Sequence, residues 1–117
     1  MKHFDESEFH CCSCGLGFDD MDFSILSKLD IAREYAGVPF VLRSSIRCEA
    51  HNKEVGGSST SSHLEGLAVD IACPSSYSRY RILKGLMMAG FNRFGIGIDF
   101  LHTDIDTSKP KELMWVY

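Results

Sequence analysis

Ser61-Ser62-His63-Leu64-Glu65-Gly66-Leu67-Ala68-Val69-Asp70-Ile71-Ala72 passes from a polar loop into a strand, with Gly66 at the change. From Leu67 onward the side chains alternate between two unlike faces. Leu67, Val69 and Ile71 make an apolar face suited to a core. Ala68, Asp70 and Ala72 make the other, where a single carboxylate between two alanines has space above it for an ion. An ionised carboxylate in an apolar strand is costly unless it is paired or coordinates a metal. For Asp70 the partners are Arg43 or Arg47 in a plain ion pair, or a cation shared with other ligands. His63, delivered by the loop, and His102, in Asp99-Phe100-Leu101-His102-Thr103-Asp104, are the candidates for that sharing. Two imidazoles and one carboxylate can hold zinc at three corners of a tetrahedron and leave the fourth for water, which marks a catalytic rather than a structural site.

Outward from this strand, the Gly/Ser-rich stretch Gly56–Ser62 reads as the loop that carries His63 to the site. Asp22 opens a helix whose broad apolar face contains Phe23, Ile25, Leu26, Leu29, Ala32 and Ala36, with Gly37 and Pro39 as its stop. Pro39-Phe40-Val41-Leu42-Arg43 reads as a short strand. Ser76 is expected to cap a second helix over Tyr77–Ala89, with Ile82, Leu83, Leu86 and Met87 buried and Gly90 as the stop. Phe94–Ile98, Phe100–Ile105 and Leu113–Tyr117 read as three further strands, with a turn at Lys109-Pro110-Lys111. Helices between separate groups of strands predict an α+β fold: a small, mainly antiparallel sheet with flanking helices.

A chain of 117 residues has room for one domain, 1–117, and an apolar content of 44% can supply its core, which excludes a disordered chain. A net charge of −4 without any Lys/Arg run argues against a nucleic-acid partner. The apolar runs are too short to span a membrane, so no membrane insertion is expected. Met1-Lys2-His3-Phe4-Asp5-Glu6 contains no secretory apolar core, so the chain is expected in the cytoplasm as synthesised; separately, a monomer is expected. The five cysteines, Cys11, Cys12, Cys14, Cys48 and Cys73, are an odd set read as reduced thiols. His10 and the CxxC spacing Cys11–Cys14 make a second metal site conceivable, but no second CxxC completes it.

The order Ser-x-His-x-x-Gly-x-Ala-x-Asp at Ser61, His63, Gly66, Ala68 and Asp70, followed by a strand with His102, resembles the zinc D-Ala-D-Ala peptidases of bacterial cell walls. That family includes phage L-Ala-D-Glu endolysins and shares its fold with the hedgehog signalling domain. Ser44-Ser45-Ile46-Arg47 is similar to the family's Ser-Gly-Tyr-Arg with Gly and Tyr replaced; His51-Asn52 and Val55-Gly56-Gly57 resemble compact phage and bacterial members. The likeness extends from about Phe4 to Tyr117.

The resemblance implies zinc bound by His63, Asp70 and His102, and a peptidase acting on peptidoglycan stem peptides, either as a D-Ala-D-Ala carboxypeptidase or as an endolysin-type endopeptidase. Zinc lowers the pKa of its water to about 7 and polarises the scissile carbonyl, and a carboxylate moves the proton to the leaving amine. Larger members place that carboxylate three residues before the last His, which is Asp99 here. Asp104 is its rival, because on an unbroken strand it points the same way as His102, and it could instead orient a ligand imidazole. Arg47 is expected to bind the substrate carbonyl and stabilise the oxyanion, or else to pair with Glu49 or Glu54 at the surface. Ser61 is expected to bond backbone or substrate, and Trp115 to line the groove or simply pack. Small size, a cell-wall target and the lack of a leader suggest a phage or prophage lysis protein. The rival reading is a zinc-containing module that binds cell wall or protein without cutting it, such as a virion component.

Overall fold

The computed structural model describes residues 2–11 and 15–117. Cys12 and Cys14 of the CxxC stretch lie outside the described residues. Helix α1 (Phe23–Ala36) starts where the sequence places it: the Asp22 carboxylate accepts the Ser24 N–H at 2.8 Å, and Gly37 closes the helix. Helix α3 (Ser76–Met88) is capped one residue earlier than expected, by Ser75, whose hydroxyl accepts the Ser78 N–H. Between them lies the six-residue α2 (Glu49–Glu54), which has no apolar period to betray it because Asn52 is its one buried residue.

Five strands, β1 (Leu42–Ser44), β2 (Ala68–Ala72), β3 (Arg93–Ile96), β4 (Phe100–Asp104) and β5 (Leu113–Val116), form one sheet in the order β1-β2-β4-β3-β5. All pairings are antiparallel except β3 with the edge strand β5. The expected α+β class with a mainly antiparallel sheet is therefore what the chain adopts. Strand β1 lies further along the chain than Pro39–Arg43, since it pairs with β2 only from Leu42 and proline has no N–H to donate.

The two faces of β2 separate as their residues dictate. Val69 and Ile71, with Leu101 of β4 and Phe94 of β3, join Ile25, Leu26, Leu29 and Ala32 of α1 and Ile82 and Leu86 of α3 in one core. Among the described residues, the opposite face has no such cover. There the strand register lines up Ser44, Asp70, His102, Gly95 and Trp115 across all five strands. Among the described residues, no helix is long and apolar enough to cross a membrane.

Candidate metal centre

Asp70 and His102 are register partners on neighbouring central strands, which fixes two of the three candidate ligands on rigid backbone. The third comes from a single 3-10 turn, Ser62–Glu65, inserted between the Gly/Ser-rich loop and β2. Ser61 caps this turn by accepting the His63 N–H, and Gly66 ends it at φ +70°. A Cβ at Gly66 would lie 2.3 Å from the Asp20 carbonyl oxygen, so the turn is seated directly against the approach to α1. Ser62 donates to Asp106 at 2.7 Å, while Lys109 donates to Ser62 and to the Thr60 carbonyl at 2.9 and 2.8 Å. Loop and turn are thereby tied to the segment after β4.

The side chains of His63, Asp70 and His102 converge, each offering one ligand atom within 4.8 Å of the others. His63 Nε2 is 3.3 Å and His102 Nδ1 is 3.0 Å from the same Asp70 oxygen. The far nitrogen of each ring is occupied elsewhere. His63 Nδ1 donates to the Ser45 carbonyl at 2.7 Å, and His102 Nε2 donates to Asp104 at 2.8 Å. Those bonds fix both tautomers so that the remaining lone pairs face Asp70, the way ligating histidines are held. Both imidazoles are buried.

The electrostatics agree. Where no cation stands between these groups, burial works against the charge on Asp70, but protons carried by His102 and His63 on the nitrogens facing it outweigh burial and hold its carboxyl below the usual range. Burial likewise opposes a proton on His102, yet Asp104 and Asp70 on either side raise its affinity for one. Three converging donors with this much negative charge favour a positive occupant, and the mixed N/N/O set fits a divalent metal ion.

Arg47 completes the group. Its guanidinium donates to Ser44 Oγ at 2.9 Å, to Asn52 Oδ1 at 3.3 Å and to Asp70 Oδ2 at 3.1 Å, so it is not a surface partner of Glu49 or Glu54. Asn52 in turn donates to the Ser58 carbonyl, bracing the Gly57–Ser58 loop. Arg47, His63, Asp70 and His102 line a cleft of about 460 Å³, within the usual size range for ligand sites. Ser61 and Trp115 are also on its wall. Trp115 lies against His102, their ring centroids 5.6 Å apart. Gly95 makes that contact possible, because a Cβ there would be 2.6 Å from the indole nitrogen.

The two candidate proton carriers are placed very differently. Asp104 is buried, and its oxygens receive His102 Nε2, Arg93 Nε at 2.7 Å and the Asp106 N–H. Asp99 lies outside the cleft wall, where Arg43 grips both of its oxygens at 2.7 and 2.9 Å. That grip holds the exposed Asp99 carboxyl below its ordinary range. Arg93, the buried cation that fixes Asp104, and the Ser62–Asp106–Lys109 clasp are not foreseen from the sequence, and Asn52, noted there only as part of a resemblance, turns out to hold Arg47. A charged residue opening the apolar strand Arg93–Ile96 was the signal for the first.

A family model described as Peptidase M15 matches residues 2–106. No match is found among curated proteins.

Proposed function

Because the chain belongs to the peptidase M15 family, we propose that it is a zinc-dependent peptidase that hydrolyses the stem peptides of peptidoglycan. The observation that carries the reading is the pair of buried imidazoles, each tied at its far nitrogen and each aimed with Asp70 at one point on the cleft floor. His63, Asp70 and His102 would hold the ion. When bound there, zinc would supply a water of lowered pKa and polarise the scissile carbonyl.

The protein's own groups account for the rest. Arg47 is fixed by Ser44, Asn52 and Asp70, and its guanidinium borders the cleft where a peptide carbonyl would lie. A donor already in place when negative charge develops on that oxygen stabilises the transition state without reorganising. Hydrolysis joins a water oxygen to the carbonyl carbon, breaks the C–N bond and moves a proton to the amine. The family resemblance points to Asp99 for that proton, and from its place beside Arg43, outside the cleft wall, its carboxylate would have to swing inward to reach the reacting atoms. Asp104 is unsuited to carry it, being buried with both oxygens engaged, and acts as the positioning group for His102. The tie between Asp99 and Arg43 is a surface ion pair, the kind that contributes little and opens easily. Phe100, the next residue after Asp99, is on the cleft wall. Arg47, Lys109 and, in an adjoining depression, Arg43 are each paired with a carboxylate of the chain, so the held ion would supply the net positive charge that suits a substrate rich in carboxylates, as stem peptides are.

The test is mass spectrometry of muropeptides after incubation with metal-replete protein, with a chelated control and an Asp99→Asn variant. Chelator-sensitive loss of a terminal alanine identifies a carboxypeptidase, and a cut within the stem identifies an endopeptidase. Asp99→Asn should slow either cut by about 10²–10⁴ if Asp99 carries the proton. Intact muropeptides with metal-loaded protein would sink the enzyme and leave a binding module.

A further inference from the structure

Arg43 stands apart from the other cations around the cleft. Arg47 is shared among Ser44, Asn52 and Asp70, and Lys109 is held in its clasp with Thr60 and Ser62. Among the described residues, Arg43 bonds only to Asp99, in a pair whose side chains are 46% and 57% exposed. An exposed pair of this kind contributes little, so another carboxylate can take the place of Asp99. The planar guanidinium fork matches a carboxylate whichever molecule carries it.

The backbone turns this fork to the substrate's side of the sheet. Leu42 is paired with Ile71 and Ser44 with Asp70, so two steps along β1 match one along β2 and Arg43 is the extra residue. Neighbours on a regular strand point to opposite faces. The bulge instead lets Arg43 and Ser44 border one depression of about 340 Å³. That depression runs into the metal cleft, since Arg47, Asp70 and Phe100 line both. Asp99 is at the same junction, directly before Phe100, and its carbonyl accepts the Cys73 N–H at 2.8 Å. With that backbone held, leaving Arg43 is a side-chain rotation that moves no strand.

We propose that Arg43 reads a substrate carboxylate beside the cleaved bond, by exchanging Asp99 for it. The inference rests on the peptidase reading above and names the group that selects the substrate. A stem peptide offers two carboxylates of this chemistry, one at the C-terminal D-Ala and one on D-Glu. Exchange has two effects. It anchors the substrate on a bidentate, charge-assisted pair, and it frees the Asp99 carboxylate to swing into the cleft. Without a substrate carboxylate, Asp99 stays on Arg43.

Trp115 is the single tryptophan of the chain and lines the cleft, so its fluorescence reports occupation. Stopped-flow fluorescence of the metal-loaded, full-length protein follows binding before any bond is cut, and turnover is read later in the same mixtures. The probes are L-Ala-γ-D-Glu-L-Lys-D-Ala-D-Ala, its C-terminal amide and its D-isoglutamine form. At least one amidation should weaken binding about 10–100-fold, the usual contribution of a bond to a charged group. Which one does so identifies the carboxylate that is read. Arg43→Ala should erase that difference, and Arg43→Lys should restore part of it. Asp99→Asn should bind the free acid more tightly than wild type while turning over more slowly, because no carboxylate then competes for Arg43. Equal binding of all three peptides by wild type would overturn the proposal, as would a preference that survives Arg43→Ala. Unchanged or weaker binding by Asp99→Asn would overturn the exchange. An Arg43-dependent preference in a protein that cuts none of the peptides would uphold the carboxylate site and sink the peptidase.

Discussion

Asp104 accepts a hydrogen bond from His102 Nε2 at 2.8 Å, although the two residues are only two apart on the same strand. The pleat puts i and i+2 on one face, so β4 itself builds a carboxylate–imidazole pair whose other nitrogen faces Asp70. Arg93 Nε at 2.7 Å then keeps the buried Asp104 carboxylate in place. Asp104→Asn should weaken metal binding about 10–100-fold, the usual result of removing a group that orients a ligand histidine. A competition titration with a chromophoric chelator reads this directly, and circular dichroism checks that the variant folds. Unchanged metal affinity in folded protein would rule out the orienting role.

Arg47→Lys keeps a positive charge beside Asp70 but loses the planar fork that reaches Ser44, Asn52 and Asp70 together. Turnover should fall about 10²–10³-fold, with a smaller change in KM and no loss of metal from His63, Asp70 and His102. A variant that loses its cleft metal along with turnover would show instead that Arg47 serves the ligands rather than the substrate.

Asp106 supplies a pH signature away from the ligands. Its burial raises the carboxyl pKa, but bonds from Ser108 and Ser62, with Lys109 nearby, outweigh this and lower it from 3.8 to about 2. A depressed folded pKa stabilises the protein fully above the unfolded value, and that contribution is lost as pH falls through the folded value. Wild type should exceed Asp106→Asn by about 2 kcal/mol near neutrality, with the gap closing between about pH 5 and 2. Urea unfolding of both proteins across that range is the measurement. A gap that stays constant with pH would show that the Asp106 charge contributes nothing.

Gly66→Ala forces a methyl group towards the Asp20 carbonyl oxygen, 2.3 Å away, at a φ of +70°. Alanine at an incompatible backbone conformation costs more than about 1 kcal/mol, so Tm should fall by several degrees. Because the strain falls on the turn that presents His63, metal affinity should drop as well. A variant with wild-type Tm and affinity would show that the turn yields freely.

Much of the site was legible before any fold was known. His63, Asp70 and His102 stood out because an ionised group in an apolar strand demands a partner, and the resemblance across Ser61–Asp70 supplied the partners' identities. Ser61 and Trp115 were named and do border the cleft. The partners that hold Asp99 and Asp104 were not legible. Strand parity could say that Asp104 shares a face with His102, but not that Arg93 would close over it or that Arg43 would take hold of Asp99. Those pairings join β3 to β4 and β1 to the start of β4, and only strand order decides them.

The sequence by itself determined the elements whose cause is local. The caps at Asp22 and Gly37, the two-faced strand Ala68–Ala72 and the α+β class all follow from side-chain period and backbone preference. Tertiary structure alone decided what depends on contact between distant segments. It set Asp70 beside His102, brought Arg47 to Asp70 rather than to the neighbouring Glu49, and placed Cys48 against Cys11. The physical reason is one of range. Periodicity and capping act over a few residues, whereas ligand geometry and ion pairing depend on which strands lie side by side and in what register.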